Sequence, residues 1–223
     1  MTATLTMCPD DSAIDLLYAD DALLVLDKPS GLLAVPGRGA DKQDCLSARV
    51  QARYPDALIV HRLDMSTSGL MVMARGPAVQ RALGKAFAAR EVKKRYLAVV
   101  AGRLEAPPAG WGTIDLPIIV DWPNRPRRMI DRQLGKPSLT RWRVLAHDDA
   151  TRTTRVELEP VTGRSHQLRV HLRELGHPIL GDALYAPSHV QAQAGRLLLH
   201  ACSLCFVHPV SGETQMFERP APF

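Results

Sequence analysis

Residues 57–75, ALIVHRLDMSTSGLMVMAR, place an acidic motif between two apolar runs. Both runs are short and aliphatic, which favours two β-strands joined by the polar segment. Within that segment, Asp64 follows His61 and Arg62 and precedes a turn of hydroxylated residues and glycine at 66–69. Strand ends and loops commonly present reactive groups, so Asp64 is a candidate catalytic carboxylate. A single aspartate beside basic residues also fits a structural ion pair or a turn cap.

The sequence on either side of this motif carries strand and helix signals without a repeating unit. Alternating or apolar runs predict two strands within 13–28, a strand at 93–102, a hairpin of 139–147 and 151–160, and a final hairpin within 196–220. Helices are expected at 44–54, capped by Asp44, at 77–90, begun by Pro77, and at 165–175, capped by Ser165. The regular alternation of a doubly wound fold is missing. The pattern therefore predicts an α+β fold with a mixed, mostly antiparallel sheet and flanking helices.

The composition is that of a globular protein with a basic balance. The chain has 223 residues, 46% of them apolar, and a formal net charge of +5. We expect a single domain over 1–223 with a flexible amino-terminal tail at about 1–14. Arginine outnumbers lysine, and guanidinium groups suit phosphate, which favours a polyanionic partner. A GC-rich genome, which enriches arginine codons, accounts for the bias equally well.

No signal peptide and no apolar run of membrane length is visible in the sequence. A cytoplasmic, monomeric protein without membrane contact is therefore expected.

Metal and cofactor signals are weak. Cys202 and Cys205 have CxxC spacing, but no second pair completes a zinc site. His166 and His171 are five residues apart, not the i, i+4 pair of a helical zinc site. A phosphate-binding loop and a dinucleotide motif are also missing. Neither a metal nor a cofactor is expected.

A second motif, PVTGRSHQLRVHLRELGHPILGD at 160–182, joins a tight turn directly to a predicted helix. Backbone N–H groups at a helix start bind anions. Arg164 stands at that start, where its side chain can reach a phosphate or a carboxylate such as Asp64. Arg169 and Arg173 are four residues apart, and we expect them on the solvated face of the helix.

Two basic segments suit contact with nucleic acid. REVKKRYLAVV at 90–100 surrounds one aromatic residue, Tyr96, with basic side chains, as in grooves that follow a nucleic-acid backbone. The alternative is an ordinary buried strand tyrosine. Residues 121–143 are rich in arginine and contain two tryptophans and several prolines, which predicts an exposed basic loop. The arginines expected to bind nucleic acid there are Arg125, Arg127 and Arg128.

Four motifs follow one another along the chain: LDKPSGL (26–32), HRLDMSTSG (61–69), KKRY (93–96) and PVTGRSHQLRVHL (160–172). Together they resemble the successive motifs of the RluA-type pseudouridine synthases, over about residues 15–223. The resemblance implies the pseudouridine synthase fold with a central active-site cleft. The length of the chain leaves no room for an additional S4 RNA-binding domain.

The resemblance also implies roles for individual residues. Asp64 matches the catalytic aspartate, which acts at the ribose C1′ as a nucleophile or through a glycal route. Tyr96 matches the active-site tyrosine that packs against the target base and is a candidate to help remove the C5 proton, and Arg164 matches the arginine that pairs with the aspartate. Arg62 is a candidate to fill the space that a flipped uridine leaves, or to hold a neighbouring phosphate. Further substrate-binding positions are His61, Lys94, His166 and Gln167.

The lone carboxylate fits this chemistry. Pseudouridine formation detaches uracil from ribose at N1 and rejoins it through C5, so the leaving base is also the acceptor. Glycoside hydrolysis normally uses two carboxylates, whereas one suffices here because water is excluded rather than activated. The implied activity is isomerisation of uridines in a 23S rRNA hairpin loop and a tRNA anticodon loop, without a cofactor because nothing is oxidised or reduced. A non-catalytic RNA-binding or RNA-folding module and a hydrolase of glycosidic or phosphate bonds are the alternatives.

Overall fold

The structure, a computed structural model, describes residues 14–223. The tail expected at about 1–14 lies outside the described residues, except for its last position. The strands are β1 Asp15–Ala19, β2 Leu23–Lys28, β3 Ala57–Ile59, β4 Ser68–Arg75, β5 Lys93–Ala101, β6 Gly112–Asp115, β7 Ile118–Val120, β8 Arg128–Ile130, β9 Leu139–Asp148, β10 Thr153–Pro160, β11 Leu199–Val207 and β12 Thr214–Glu218. The helices are α1 Leu46–Arg53, α2 Pro77–Ala89, α3 Gln167–Glu174 and α4 Ser188–Gln191, with a 3₁₀ turn at Ala40–Lys42.

Within the described residues, ten strands form one continuous sheet. Its order is β1-β2-β4-β11-β5-β10-β9-β6, with β3 paired to β4 and β12 paired to β11. The pairs in this sheet are antiparallel apart from β4 with β11, which run parallel. Strands β7 and β8 form a separate hairpin. The predicted α+β fold with a mixed, mostly antiparallel sheet is confirmed.

Strand β2 is covered by a helix on each of its faces. Successive residues of a strand point to opposite faces, so Leu24 of β2 joins the cluster that contains Val50 of α1, whereas Leu23 joins the cluster that contains Leu83 of α2. These four side chains are almost completely buried. Burial of each such aliphatic side chain contributes about 1.5–3 kcal/mol to stability. The apolar run of β2 is therefore buried on both of its faces.

The N-cap of the first helix lies one residue later than predicted. Cys45 is the N-cap of α1, and its Sγ accepts a hydrogen bond from the backbone N–H of Ala48 at 3.4 Å. Asp44 instead pairs with Arg49 on the surface. The carboxylate therefore stabilises the helix through an ion pair rather than as its cap.

The helix of the second motif also begins later than expected. α3 starts at Gln167, and its N-cap is His166 in a left-handed conformation with φ 59°, not Ser165. The side-chain Oε1 of Gln167 accepts hydrogen bonds from the Arg164 backbone N–H at 3.0 Å and the Thr162 hydroxyl at 2.7 Å. This amide closes the turn before α3, and no side chain caps the start of the helix.

One glycine sets the distance between the two motif-bearing strands. Gly69 of β4 lies opposite Ala201 of β11, and Ala201 lies opposite Tyr96 of β5. Gly69 has φ +115°, and a Cβ there would lie 2.4 Å from the Ala201 carbonyl oxygen. Only glycine permits this approach. The register brings the turn that carries Asp64 to the strand that carries Tyr96.

Among residues 14–223, no helix combines the length and the apolar character needed to cross a membrane.

Candidate active site

Asp64 lies in the turn between β3 and β4, with its side chain about one-quarter exposed at 25%. Its backbone carbonyl accepts a hydrogen bond from the Thr67 N–H at 3.1 Å. The next carbonyl, of Met65, accepts from the Gly31 N–H at 2.8 Å. The loop after β2 therefore supports the turn, and the carboxylate is presented from a fixed backbone.

Lys28 is a fully buried cation beneath this turn. Its Nζ donates to the carbonyls of Pro29 and Leu32, each at 2.8 Å, and to that of Met65 at 3.1 Å. Burial lowers the pKa of Lys28 to about 8, although the negative charge of Asp64 opposes this shift. Lys28 is not among the site residues predicted from sequence, because a lysine at a strand end normally faces solvent.

The arginine nearest the Asp64 carboxylate is Arg169, whose Nη1 lies 3.6 Å from Oδ2. Arg169 is almost completely buried and is held by Asp182, with Nε to Oδ2 at 2.8 Å and Nη2 to Oδ1 at 2.6 Å. A two-point pair of this kind fixes the guanidinium in one orientation. Asp64, Arg169 and Asp182 thus form a row of alternating charges.

Two sequence-based expectations are corrected here. Arg164 was expected to pair with Asp64, but its side chain is exposed and its Nε donates to the Pro137 carbonyl at 3.4 Å. Arg169 was expected on a solvated surface and instead faces the site. The reason is the helix start: α3 begins after Arg164, so the first arginine lies in the turn and the second lies inside the fold.

His166 also approaches the carboxylate. Its Nε2 lies 3.8 Å from Asp64 Oδ2, and its Nδ1 lies 2.6 Å from the Tyr185 hydroxyl. Burial lowers the pKa of His166, while the charge of Asp64 opposes the shift. The imidazole is therefore neutral at pH 7. The structure places this predicted substrate-binding residue in the site.

Tyr96 lies on β5 and packs against two of the core clusters. Burial, and after it the negative charge of Asp64, raise the pKa of Tyr96 above its ordinary value of 10.0. The phenol is therefore protonated at neutral pH and is a poor base in the unliganded enzyme. These surroundings favour the packing role expected for Tyr96 over the proton-removing one.

Two predicted substrate-binding residues have structural partners instead. The Gln167 amide is buried and fully bonded: besides its contacts to the turn, its Nε2 donates to the Leu139 carbonyl and to the Thr140 hydroxyl, each at 3.0 Å. His61 Nε2 accepts from the Val72 N–H at 3.1 Å, and its ring stacks on Phe87. Burial lowers the pKa of His61 to about 3. Both side chains hold the fold around the site rather than offering free groups to a substrate.

Lys94 lies beside His61 and Phe87, and Arg62 is two residues from Asp64 in the chain. Lys94 is half-buried on β5, with its Nζ 5.6 Å from the centre of the Phe87 ring, and burial lowers its pKa. Arg62 is exposed beside Asp64 in the turn. A role in substrate binding stays a prediction for both residues.

Of the exposed basic loop predicted over 121–143, residues 121–127 connect β7 to β8, whereas Arg128 begins β8 and Trp142 is buried in β9. The name basic loop is kept for residues 121–128. Arg125 is exposed and its guanidinium lies 4.5 Å from the centre of the exposed Trp122 ring. Arg127 lies over the Tyr185 ring, and the Arg128 backbone N–H donates to the Tyr185 hydroxyl at 2.7 Å. Since that hydroxyl also contacts His166, the loop is joined to the site through Tyr185.

Sequence reasoning missed Asp182 and Tyr185, which complete the site. Asp182 Oδ1 also accepts from the Tyr185 backbone N–H at 3.1 Å. The sequence carries a signal for them. The glycine and proline at 176 and 178 end the helix, so the chain turns back there. Asp182, the last residue of ILGD, can then return to the helix. The end of the helix can be predicted from these two residues, whereas the contact of Asp182 with Arg169 follows only from the packing.

Comparison with known proteins shows the family of the chain. Residues 22–174 match the family model described as RNA pseudouridylate synthase. A protein named dual-specificity RNA pseudouridine synthase RluA from Escherichia coli (strain K12) is 48% identical over 215 residues, which is 96% of each chain. The protein of that name from Yersinia pestis is 49% identical over 93% of this chain and 99% of its own.

Solved structures give the same result. Human RNA Pseudouridylate Synthase Domain Containing 1 has a TM-score of 0.78 and 30% identity, covering 98% of this chain and 87% of its own. Human RNA Pseudouridylate Synthase Domain Containing 4 has a TM-score of 0.74 and 25% identity, covering 93% of this chain and 88% of its own. The resemblance drawn from the motifs is confirmed. The chain therefore belongs to the RNA pseudouridylate synthase family, and it is an isomerase that converts uridine to pseudouridine in RNA.

Proposed function

We propose that this enzyme modifies two kinds of RNA, a uridine in a tRNA anticodon loop and a uridine in a hairpin loop of 23S rRNA. Relatives that share about half of their residues with this chain are named dual-specificity RNA pseudouridine synthase. This name supports two substrates. Loops suit such an enzyme because their bases can be turned outward and read on their edges. We further propose that it acts as a monomer and in the cytoplasm.

The observation that carries the catalytic part is the partly exposed carboxylate of Asp64 between a fixed cation and a protonated tyrosine. In our proposal Asp64 acts at the ribose C1′ when the bond to N1 breaks, as nucleophile or as charge partner. Arg169 orients the carboxylate through its own pairing with Asp182. Tyr96 packs against the detached uracil while the base turns to present C5.

The RNA backbone is proposed to lie over the basic loop and the neighbouring cations. Arg125 and Trp122 offer a charge and an aromatic face on the exposed side of the loop. Arg62, Lys94 and Arg164 are the proposed phosphate contacts nearer to Asp64. Arg164 takes this role because its guanidinium is exposed at the turn before α3.

The first test is release of tritium from an anticodon stem-loop RNA labelled at uridine C5. Wild-type enzyme is expected to release tritium without cleaving the RNA, and Asp64→Ala is expected to release none. Binding of the same RNA by Asp64→Ala should stay within about threefold of wild type, because exposed phosphate contacts dominate affinity. Free uracil or cleaved RNA would instead indicate a hydrolase.

The rRNA hairpin is assayed in the same way. Release from one RNA but not the other would reduce the proposal to a single substrate class. Binding without release from either RNA would favour the RNA-binding module.

The basic loop is tested by salt dependence. Replacing Arg125, Arg127 and Arg128 by glutamine should flatten the dependence of log K on log salt by about 0.7–0.9 for each phosphate that is no longer neutralised. The Tyr185 contact uses the Arg128 backbone and is kept in this variant. An unchanged slope would show that the RNA does not follow this loop.

A further inference from the structure

A cavity of about 530 Å³ is lined in part by Met65 and Ser66, the two residues that follow Asp64 in its turn. Four segments wall it: the loop after β2, the residues directly after Asp64, and the two stretches that precede and follow α4. The lining residues that matter below are Ser30, Ser66, Gly181, Gly195 and Arg196. Its volume lies within the range of about 300–1,000 Å³ that is typical of sites for small molecules.

Arg196 gives the cavity its charge, since the other lining residues are uncharged. Its Nε donates to the Leu197 carbonyl at 3.3 Å, and its Nη2 donates to the Ser68 hydroxyl. Within residues 14–223 the guanidinium makes no ion pair with a carboxylate, although Asp27 is near enough to act on it electrostatically. A guanidinium has more N–H donors than these two contacts use. The remaining donors are available to an anion.

The wall that carries Arg196 is fixed before any ligand arrives. Gly181 has φ +72°, and a Cβ there would lie 1.9 Å from the Arg196 carbonyl oxygen. The Leu198 N–H donates to the Leu180 carbonyl at 3.0 Å, which holds the same two segments together. The close approach of these backbones fixes Arg196 in the wall of the cavity, where its guanidinium also lies 5.8 Å from the centre of the Phe223 ring.

A second cation lies behind the opposite wall. Lys28 is buried, and it holds the carbonyls of Pro29 and Met65, two residues that line the cavity. The charges of Lys28 and Arg196 act on each other, since Arg196 lowers the pKa of Lys28. Both cations favour an anionic occupant over a neutral or cationic one.

We propose that this cavity binds the nucleotide next to the target uridine, with a phosphodiester oxygen on Arg196. The inference rests on an RNA stem-loop being the substrate. Ser66 is two residues from Asp64 and lines the cavity, so an RNA strand that presents its uridine to Asp64 passes the cavity mouth. The Ser30 hydroxyl donates to the Ser66 carbonyl at 2.7 Å and can still accept, and the Ser66 hydroxyl can donate or accept. Both can therefore meet the ribose 2′-hydroxyl, which is both donor and acceptor. Arg196 would then fix the register of the strand, and through it which uridine enters the site.

The test replaces single phosphates by neutral methylphosphonates, one position at a time, on both sides of the target uridine. Wild-type enzyme is expected to lose about tenfold in affinity at one position, the size expected for a charge-assisted contact. Arg196→Gln should bind the unmodified RNA about tenfold more weakly and lose less than about twofold on the same replacement. Arg81→Gln, which removes an exposed arginine of α2, is the matched control and should behave as wild type.

If Arg196→Gln keeps the same sensitivity as wild type at every position, the proposal is wrong. Ser66→Asp provides an independent variant that leaves Arg196 and its Ser68 contact in place. It should weaken RNA binding at least about tenfold by like-charge repulsion of the phosphate, and unchanged binding would also overturn the proposal. The scan uses the stem-loop from which wild-type enzyme releases tritium, so an error in the substrate is detected before Arg196 is judged.

Discussion

At the scale of single residues, the site depends on Arg169, which contacts two carboxylates, those of Asp182 and Asp64. Asp182 holds Arg169 through two short contacts, and only Nη1 reaches Asp64, at a longer 3.6 Å. Asp182 is itself fixed by the backbone N–H groups of Leu184 and Tyr185. Arg169 is therefore a rigid group that sets the position of the Asp64 carboxylate. Lysine cannot reproduce this, because it lacks the planar two-point fork.

We expect Arg169→Lys to lower kcat for tritium release by about a hundredfold, as misplacement of a reacting group by about 1 Å can do. Arg164→Gln is the matched comparison and should leave kcat within about threefold, because its exposed guanidinium acts on binding alone. Steady-state kinetics on one stem-loop RNA measures both. A larger loss of kcat in Arg164→Gln than in Arg169→Lys would indicate that Arg164, not Arg169, pairs with Asp64.

His61 gives a stability prediction with a defined sign. Its pKa is about 3 in the fold and 6.5 in its ordinary state. Between these values the unfolded chain binds the extra proton, so this contribution is complete above pH 6.5 and is lost as pH falls towards 3. His61→Gln keeps an acceptor for the Val72 N–H without a titrating group.

The urea midpoint of wild type should therefore fall more steeply than that of His61→Gln between about pH 6.5 and pH 4. Burial also lowers the pKa of His171 and His200, so the variant should retain part of the acid sensitivity. Parallel curves for the two proteins would show that the imidazole of His61 titrates normally in the fold.

At the scale of elements, the parallel contact of β4 with β11 assembles the site. The hairpins of this fold are local in sequence, whereas Ser68 and Gly69 meet His200 and Ala201 across most of the chain. The contact is short and is secured by side chains: Ser68 Oγ lies 2.8 Å from His200 Nδ1. Bringing these strands together is what places Asp64 beside Tyr96 and the start of α3.

We expect Gly69→Ala to lower the free energy of unfolding by about 3 kcal/mol or more, from the positive φ and the clash with Ala201. Gly84→Ala is the control within α2, where a Cβ meets open space. It should stabilise the protein by about 0.5–1 kcal/mol, because alanine favours the helix over glycine. Urea unfolding followed by circular dichroism measures both; near-equal effects would contradict the close approach of β4 and β11.

At the scale of the whole molecule, the sheet is continuous from one end of the described chain to the other. Arg219, just after β12, pairs with Asp27 of β2 at 2.7 Å and with Asp15 of β1. The carboxyl-terminal segment is thus attached to the first two strands. Within residues 14–223, every strand of this sheet is hydrogen-bonded to a neighbouring strand. The sheet can therefore separate into two parts only if a ladder of hydrogen bonds breaks. We propose on this basis that the chain is a single domain.

Thermal unfolding should accordingly show one transition, with the calorimetric enthalpy equal to the van't Hoff enthalpy. Arg219→Gln should lower the midpoint without splitting the transition, since its partners are joined to the same sheet. Two resolved transitions in the wild-type protein would contradict a single cooperative unit.

The elements that sequence patterns predicted well are those whose determinants are local. Alternation, turn residues and Pro77 predicted the hairpins and α2, and α2 begins at that proline. α4 was not predicted, because one helical turn leaves no periodicity to detect. The cap at 44 was wrong because the Cys45 thiol caps α1, and the cap at 165 was wrong because α3 begins after His166 without a side-chain cap.

The family, the α+β fold and the turn that presents Asp64 could all be predicted from the sequence, because motif order, side-chain period and turn chemistry are properties of neighbouring residues. Which arginine meets that carboxylate depends on tertiary packing. Arg164 and Arg169 lie five residues apart, and the start of α3 between them sends one outward and one inward. The roles of Lys28, Asp182 and Tyr185 likewise follow from the packing alone. Each of them combines neighbours in sequence with a partner on another segment: Met65 for Lys28, Arg169 for Asp182 and Arg128 for Tyr185. The free energy of a buried charge depends on such partners.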